Sequence, residues 1–587
     1  MTQARRPTRR APSRQRKTGD PRRRLVTVGI LVAMVMSLFA GRLLQLQGVE
    51  AAAYAATAEA ERLRTVTIPA TRGTITDANG VALATTVDAV TITADQTQIA
   101  DPVAVAAALA PVLGEPIKAI YNLINGDLRF AYVAREVTPK KWDEVAALRL
   151  PGIYSEPTAK RVYPQGSLAA AVLGFVGSDG HGLEGLEYSL DSKLAGKDGQ
   201  LTYESAAGGH RIPSADSVNE ASVPGADVQL TIDRDIQFIA ERAIRAKVKE
   251  SDSDSGTVVA MDPRTGEVLA LATYPSLNPR SPESAPEADR GNRAVTEIYE
   301  PGSTSKVMTM AAALDAGAVT PNSKVEVPPI LYRGGDSFHD HSPHGTLHLT
   351  ATGVLAQSSN IGMILIAERL GDQALYAYLR KFGMGSTSGL DFPGESAGIL
   401  PNVNDWGPTN AATIAFGQGL SLNAVQSTSV FATIANNGVR VEPTVIAGTS
   451  APDGSFTPAP APQRHRVVSA EAAITTREMM ETVVSDQGTA PMAQIPGYRV
   501  AGKTGTAERV DESCGCYSGY TASFIGFAPA DKPAIVVSVT LQDPKGEHYG
   551  GVLGGPVFKR VTSFALQSQQ VPPTATTVPS MRLTYRP

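Results

Sequence analysis

Residues 300–314 read EPGSTSKVMTMAAAL, and this stretch combines a helix start with two reactive side chains. Pro301 and Gly302 interrupt the preceding chain, and the apolar run that follows is suited to a buried helix. Ser303 and Lys306 are three residues apart, so on a helix they lie on one face. A serine hydroxyl is a poor nucleophile at neutral pH and needs a base within hydrogen-bond reach. The stretch therefore predicts Ser303 as a nucleophile and Lys306 as its base.

Lys306 can act as a base only if its environment favours the neutral amine. Burial and a nearby cation both lower the pKa of a lysine, and Lys503 is a candidate for that cation. Ser303 also lies near a helix N-terminus, where unpaired backbone N–H groups stabilise a developing oxyanion. A serine and a lysine at this spacing are, in isolation, more often a helix cap and an exposed lysine. The assignment therefore depends on two further motifs.

The second and third motifs are Ser358-Ser359-Asn360 and Lys503-Thr504-Gly505. A hydroxyl and a carboxamide both donate and accept hydrogen bonds, so Ser358 and Asn360 can relay a proton and hold a substrate amide. Lys503 and Thr504 are suited to binding a carboxylate at the start of a strand. Gly505 would let a substrate backbone approach the strand edge. Each motif in isolation is more often a turn or a cap.

In this order and within one domain-sized stretch, the three motifs resemble those of the penicilloyl serine transferases. The chain as a whole resembles the class B penicillin-binding proteins, which are monofunctional peptidoglycan D,D-transpeptidases. The resemblance extends over roughly residues 25 to 568. Further similar stretches are Asn292–Ala294, Ala415–Gly419, Ala435–Gly438, Phe524–Pro529 and Gly554–Phe558, and upstream Arg72–Ile75, Arg161–Pro164, Gly174–Gly177 and Gly182–Glu187.

The resemblance implies a mixed α+β architecture with a single N-terminal transmembrane helix, an elongated β-rich pedestal and an antiparallel sheet flanked by helices. The expected boundaries are a basic cytoplasmic tail at 1–24, an anchor at 25–45, a pedestal (dimerisation-like domain) at 46–220, a transpeptidase domain at 225–568 and a disordered tail at 569–587. A length of 587 residues suits such a multidomain chain.

The resemblance also implies a mechanism without cofactor or metal. Ser303, deprotonated by Lys306, would attack the donor stem peptide, which ends in D-Ala-D-Ala. The backbone N–H groups of Ser303 and Thr506 would hold the oxyanion, and Ser358 would help to protonate the departing D-Ala. The donor carboxylate would meet Lys503, Thr504 and Thr506. β-Lactams would mimic the donor and remain on Ser303.

Charge and hydropathy predict membrane topology. Ten of the 53 basic residues lie within residues 1–24, where the only acidic residue is Asp20. An apolar span follows from Leu25 to Leu44 and is near bilayer length. A basic arm can bind nucleic acid, but next to such a span it predicts a cytoplasmic N-terminus and an extracytoplasmic catalytic domain. A cleaved signal peptide is the alternative, and Leu38-Phe39-Ala40 fits a cleavage site poorly.

Several functions remain open alternatives at this stage. The chain can be an elongation-type rather than a septal transpeptidase, a D,D-carboxypeptidase or β-lactamase-like hydrolase, or a catalytically idle scaffold of the division machinery. A β-lactam sensor would need several membrane spans. The single anchor and modest pedestal favour the septal type. No stretch resembles a glycosyltransferase, so the expected partners are a membrane glycosyltransferase of the SEDS type and other divisome proteins.

Two residue clusters lie outside the motifs. The first resembles a metal-binding tract, but the family needs no metal, so none is predicted; its members are Asp336, His339, Asp340, His341, His344 and His348. The second is the cysteine pair Cys514 and Cys516, the only cysteines in the chain. An exported domain meets oxidising conditions, so a disulfide is allowed there. The close spacing leaves a disulfide and free thiols as alternatives.

Overall fold

The structure is a computed structural model that describes residues 20–204, 217–511 and 514–587, except for 53, 55 and 58–62. The chain divides into two compact units. One is formed by the segments 1–68 and 198–221, and the other by 69–197 and 222–587.

The elements are numbered here in chain order. The helices are α1 (Pro21–Leu44), α2 (Pro102–Leu113), α3 (Ile117–Ile124), α4 (Pro139–Ala147), α5 (Ala170–Leu173), α6 (Gly185–Ser189), α7 (Asp191–Leu194), α8 (Arg234–Glu250), α9 (Arg293–Thr296), α10 (Lys306–Asp315), α11 (Ala351–Ala356), α12 (Asn360–Leu370), α13 (Asp372–Lys381), α14 (Asn410–Phe416), α15 (Ala424–Ala435), α16 (Ala470–Val484) and α17 (Gly550–Ser568). The strands are β1 (Leu63–Ile68), β2 (Ile75–Thr76), β3 (Ala82–Ala94), β4 (Ala131–Val137), β5 (Ile153–Val162), β6 (Gly199–Glu204), β7 (Ser217–Glu220), β8 (Asp227–Leu230), β9 (Ser255–Met261), β10 (Val268–Tyr274), β11 (Lys324–Val327), β12 (Leu331–Arg333), β13 (Asp336–Phe338), β14 (Leu347–Thr350), β15 (Val439–Val441), β16 (Ile446–Ser450), β17 (Phe456–Pro458), β18 (Arg464–Arg466), β19 (Ala501–Asp511), β20 (Cys516–Ala528) and β21 (Ile535–Gln542).

The smaller unit contains the apolar helix and a three-stranded sheet. Helix α1 begins behind Asp20, whose side chain accepts a hydrogen bond from Arg22 N, and Pro21 occupies the first turn. Within the described residues, one helical stretch, Pro21–Val49, is long and apolar enough to cross a membrane. The sheet has the order β1-β6-β7 and is antiparallel.

A five-stranded antiparallel sheet, with the order β10-β9-β21-β20-β19, forms the centre of the larger unit. Every residue of β9 and β21 is buried, so these strands read as almost continuous apolar runs rather than as alternating patterns. Helices α8 and α17 cover one face, and α15 packs on the other. The predicted antiparallel sheet flanked by helices is confirmed.

One compact unit contains residues on both sides of the predicted boundary between pedestal and catalytic domain, placed between 220 and 225. Residues 69–197 belong to the same compact unit as the five-stranded sheet. A second sheet accounts for this grouping. Its order is β17-β16-β8-β2-β3-β4, with β5 paired to β3. It joins strands from both sequence regions, and β2 pairs with β8 in parallel. Helix α1 and the residues around β1, β6 and β7 belong to the other unit.

A buried ion cluster links the family-like upstream stretches. Glu187 is fully buried, and its two carboxylate oxygens accept hydrogen bonds from Nε of Arg72 and Nε of Arg161, each at 2.7 Å. Arg72 also pairs with Asp191. Removing one member would leave a buried charge without its partner, which is strongly destabilising.

The predicted disorder of the tail 569–587 is wrong for this structure. The segment hydrogen-bonds to the larger unit at two places. Near the third motif, Thr574 N donates to Gly497 O and Tyr498 donates to Val571 O. Near the second, Tyr585 N donates to His348 O, a bridge joins Thr584 to Leu349, and Thr350 donates to Arg582 O. Its composition favours disorder, but its backbone groups are satisfied by partners far away in sequence.

Gly353, in α11, packs directly against this tail. A Cβ atom placed on it would lie 1.9 Å from Leu583 O. We expect Gly353→Ala to destabilise the chain by about 2 kcal/mol because the tail must be displaced. In a chain that lacks residues 580–587, the same substitution should be neutral or stabilising by up to about 1 kcal/mol, because alanine favours a helix. Denaturant unfolding of the four chains measures this difference.

Gly345→Ala serves as the matched control because nothing lies within 4 Å of its Cβ position. Its effect should stay within about 0.5 kcal/mol in both chain lengths. An equal cost of Gly353→Ala with and without the tail would show that the tail is not packed there.

Candidate active site

Ser303 lies in a tight turn at the start of α10. Residues Gly302–Ser305 form a 3-10 turn that continues into the helix at Lys306. The predicted helix therefore begins three residues later than Ser303, although the two side chains still share one turn. Ser303 is partly exposed, whereas Gly302, Thr304, Ser305 and Lys306 are buried. The turn thus presents the Ser303 hydroxyl at the surface of an otherwise closed segment.

Lys306 is fully buried and is held by the second motif. Its Nζ donates to Asn360 Oδ1 at 2.6 Å, to Ser358 O at 2.6 Å and to Ser358 Oγ at 3.4 Å. The sequence predicts that this amine also meets Ser303. Within the described part of the chain, no hydrogen bond to Ser303 Oγ is formed. The structure therefore shows the Lys306 amine bound by the second motif, while the Ser303 hydroxyl stays available for a substrate.

Ser358 connects the two lysines. Lys503 Nζ donates to Ser358 Oγ at 2.9 Å, the same oxygen that Lys306 approaches. Ser358 has a φ of +59°, a left-handed backbone conformation that is unfavourable for residues other than glycine. Such strain is retained where surrounding contacts enforce it, and it concentrates at functional sites. The three predicted motifs meet at this hydroxyl.

Burial lowers the pKa of both lysines. Loss of water around the ammonium group lowers the pKa of Lys306 to about 7, and the negative charge of Asp340 opposes part of that change. For Lys503, burial and the positive charge of Lys306 together lower the pKa well below its ordinary value. Two ammonium groups sharing one buried hydroxyl disfavour each other's protons. A neutral amine is therefore accessible in this site near neutral pH.

The third motif lies on β19, the edge strand of the five-stranded sheet. In the described sheet β19 pairs only with β20, and the Gly302–Ser305 turn packs against it. Thr504 Oγ1 lies 2.9 Å from Thr489 Oγ1, and Thr506 Oγ1 accepts from Gly550 N at 3.3 Å. Lys503 and Thr504 are buried, whereas Thr506 is half-buried and accessible.

The structure requires a glycine at position 505 for a different reason from the one the sequence suggests. A Cβ atom there would lie 2.3 Å from Ser523 Oγ on β20 and 3.0 Å from Pro301 O. The glycine therefore allows the segment that carries the nucleophile to pack on the strand. The predicted role, close approach by a substrate backbone, is not needed to explain it.

The stretch Ala415–Gly419 supports the nucleophile turn from below. Gly302 N donates to Gly417 O at 3.0 Å, and Gly419 N donates to the carboxylate of Glu300 at 2.8 Å. Thr309 Oγ1 donates to Ala415 O. Sequence reasoning recognised this stretch only as a family-like signature, and the structure gives its physical purpose.

Asp340 is the main site residue that sequence reasoning missed. Its carboxylate accepts hydrogen bonds from Ser359 Oγ at 2.6 Å and from Ile361 N at 2.9 Å. The histidine-rich tract that contains it does not converge: His341 contacts the Tyr549 ring, and His348 contacts Tyr585. Among the described residues no group of three or more potential ligands could hold a metal. The acidic residue was visible in the sequence, but nothing there linked it to the second motif.

The cysteines form a disulfide between Cys514 and Cys516 in the connection from β19 to β20. The next residue, Tyr517, has its hydroxyl 3.3 Å from the carboxylate of Glu300. Burial raises the pKa of Glu300. Burial also raises the pKa of Tyr517, and the negative charge of Glu300 raises it further. The hairpin therefore contacts the residue that precedes Pro301 and the nucleophile turn.

Comparisons with known proteins agree with this geometry. The family model for the Penicillin binding protein transpeptidase domain matches residues 256–563, and the Penicillin-binding Protein dimerisation domain matches residues 67–230. The chain is 36% identical over 578 residues to penicillin-binding protein PbpB of Mycobacterium tuberculosis, covering 93% of this chain and 85% of the relative. The chain belongs to the class B penicillin-binding proteins.

Other relatives of this class B penicillin-binding protein include peptidoglycan D,D-transpeptidase FtsI of Escherichia coli K12, which is 33% identical over 555 residues and covers 93% of this chain and 92% of the relative. Among solved structures, penicillin-binding protein 3 from M. tuberculosis in complex with aztreonam superposes with a TM-score of 0.71 at 34% identity. The match covers 89% of this chain and all of that one.

The contact between Gly417 and Gly302 generates a prediction for this class B penicillin-binding protein. Gly417 ends α14 in a left-handed conformation, as Gly114 ends α2. Nothing lies within 4 Å of a Cβ on Gly114, whereas one on Gly417 would lie 2.0 Å from Gly302 O. Gly114→Ala should cost about 1 kcal/mol from backbone conformation alone. Gly417→Ala should cost at least about 2 kcal/mol more.

Denaturant unfolding of the two variants measures the difference, with the unsubstituted chain as reference. Equal costs would mean that the Gly417 backbone does not support the nucleophile turn through close packing.

Proposed function

We propose that this chain is a serine-type peptidoglycan D,D-transpeptidase that crosslinks stem peptides through an acyl-enzyme on Ser303. The observation that carries the proposal is the Ser358 hydroxyl, which lies between the buried amines of Lys306 and Lys503, with the partly exposed Ser303 three residues before Lys306. FtsI, a relative, is named a peptidoglycan D,D-transpeptidase. Reactions of this class need an activated nucleophile, an oxyanion site and a proton relay.

The donor peptide ends in D-Ala-D-Ala and lies along β19 as an additional strand at the edge of the sheet. Its carboxylate is bound by Lys503, Thr504 and Thr506. A carboxylate beside Lys503 raises the pKa of that amine, so Lys503 becomes a cation when the donor binds. The new positive charge in turn disfavours a proton on Lys306. Donor binding therefore prepares the base for the attack.

Neutral Lys306 accepts the proton of Ser303 as its oxygen attacks the carbonyl of the penultimate D-Ala. The backbone N–H groups of Ser303 and Thr506 stabilise the oxyanion. Ser358, linked to both lysines, delivers a proton to the departing D-Ala, and Asn360 holds Lys306 in place. An amine from a neighbouring stem peptide then attacks the acyl-enzyme and releases Ser303.

We assign the chain to septal cell-wall synthesis because its relatives include FtsI and PbpB. β-Lactams mimic the donor, and aztreonam is bound by the related penicillin-binding protein 3. The expected partners are a SEDS-type membrane glycosyltransferase and other divisome proteins, because the family models that match the chain are a transpeptidase domain and a dimerisation domain.

The proposal predicts a lasting covalent adduct. After incubation of the full chain with benzylpenicillin in detergent, intact mass should increase by one drug molecule, and Ser303→Ala should abolish the increase. Lys306→Ala should slow the labelling by about 10²-fold or more, since it removes the base. Ser305→Ala is the matched control. This serine lies two residues after Ser303 in the same turn, and its hydroxyl donates to Gly302 O.

The alternatives give different results in that experiment. Drug consumption without a lasting adduct would indicate a β-lactamase-like hydrolase. Neither adduct nor drug consumption from folded protein would favour an idle scaffold. Release of D-Ala from a stem-peptide donor, measured with and without an acceptor amine, separates a transpeptidase from a D,D-carboxypeptidase.

We also propose that α1 is an uncleaved anchor with the basic N-terminal tail in the cytoplasm. The helix is long and apolar enough to cross a bilayer, and positively charged flanks remain inside. Protease added to spheroplasts should digest the residues beyond about 50 while a tag placed at residue 1 stays protected. Digestion of the tag in intact spheroplasts would contradict this orientation.

A further inference from the structure

The loop after β13 holds the second motif from the side opposite to Lys306. His339 O accepts a hydrogen bond from Asn360 Nδ2 at 3.2 Å, while the other end of that amide, Oδ1, accepts from Lys306. The next residue, Asp340, receives Ser359 Oγ and Ile361 N. Every residue from Ser358 to Ile361 is thus connected to Lys306 or to this loop, and the loop sets where the motif lies.

The Asp340 carboxylate is largely buried, with 10% of its side chain exposed. One oxygen accepts from Ile361 N, and the other accepts from Ser359 Oγ and lies 3.1 Å from His344 Nε2. The second ring nitrogen of His344 faces Gly345 O. The ring thus lies between the Asp340 carboxylate and Gly345 O. His344 therefore fixes the carboxylate in the orientation that receives the motif.

We propose that Asp340, oriented by His344, is a positioning residue that holds Ser358 and Asn360 against Lys306 and supplies a negative charge that acts on the Lys306 amine. The proposal rests on the proposed acyl-transfer function. It gives a purpose to a buried carboxylate that the catalytic steps do not use. The family-like motifs do not include this residue.

The charge of Asp340 acts on the base itself. It raises the pKa of Lys306, against the larger lowering by burial. The other charged group facing Lys306 is Lys503, from β19. Helices packed on α10 also carry charged or titratable groups, but these have partners of their own: Glu368 with Arg333, Arg369 with Lys324 O, Tyr378 with Asp315, Arg477 with Asn437 and Glu481 with Arg499. Asp340 is therefore the carboxylate whose removal changes the base directly.

The test is the second-order rate of Ser303 acylation by a fluorescent penicillin, measured on the full chain from pH 5.5 to 9. In the unsubstituted chain the rate should rise with pH as Lys306 loses its proton, with a midpoint near its pKa of about 7. Asp340→Asn removes the charge but keeps the shape. Because a carboxylate raises the pKa of the amine, the midpoint should move down by about one unit. The plateau should remain within a few-fold of the unsubstituted chain.

Asp340→Ala removes the charge and the hydrogen bonds together. Its midpoint should move down like that of Asp340→Asn, and its plateau should fall by about tenfold or more because Ser358 and Asn360 lose their support. Asp336→Asn is the matched control: it is an exposed aspartate four residues earlier, in strand β13, and should change neither quantity. Circular dichroism verifies that each variant is folded.

An unchanged midpoint in Asp340→Asn, or a plateau in Asp340→Ala equal to that of Asp340→Asn, would overturn the proposal. If neither Asp340 variant folds, Ser359→Ala decides, since it removes the bond to Asp340 and the bond from Gly362 N that caps α12, and no charge. Its plateau should fall with an unchanged midpoint, and an unchanged plateau would overturn the proposal. Absence of labelling in the unsubstituted chain would instead contradict the acyl-transfer function.

Discussion

Two lysine amines buried around one serine hydroxyl impose the constraint on which this active site depends. Each amine loses its hydration, and each disfavours a proton on the other. Such an arrangement is unstable unless every N–H donor of the two amines has an acceptor. Ser358 Oγ, Ser358 O and Asn360 Oδ1 are among those acceptors. The left-handed backbone of Ser358 is one cost of that convergence. The result is a base that exchanges its proton near neutral pH without any metal or cofactor being required by the proposed steps.

The chemistry-bearing residues could be predicted from the sequence because their motifs are local. Ser303 and Lys306 are related by helix geometry, and Lys503 begins a strand that the sequence also indicates. The antiparallel sheet was expected from the family resemblance. The structure joins Ser358 to both lysines, and the Lys306 amine, which the sequence placed on Ser303, donates to Asn360.

What the sequence could not supply are contacts between residues far apart in the chain. The loop around Asp340 resembled a metal tract because histidines and aspartates cluster there, but their side chains turn toward different partners once the helices are in place. Gly505 was linked to the substrate, whereas the close contact is with Ser523 and Pro301. The parallel pairing of β8 with β2, which joins residues on both sides of the predicted boundary near 220, is a contact of the same kind.

The ordered tail has a practical consequence for anyone building fusions of this enzyme. Tyr585 pairs with His348, and Leu583 lies on Gly353, in the helix that leads to Ser358. A fluorescent protein or purification handle joined directly after residue 587 would lie close to these contacts and could displace the tail from α11, the helix that precedes Ser358. The exposed turn from Ala451 to Ser455, between β16 and β17, touches none of these groups and offers an insertion point for reporters.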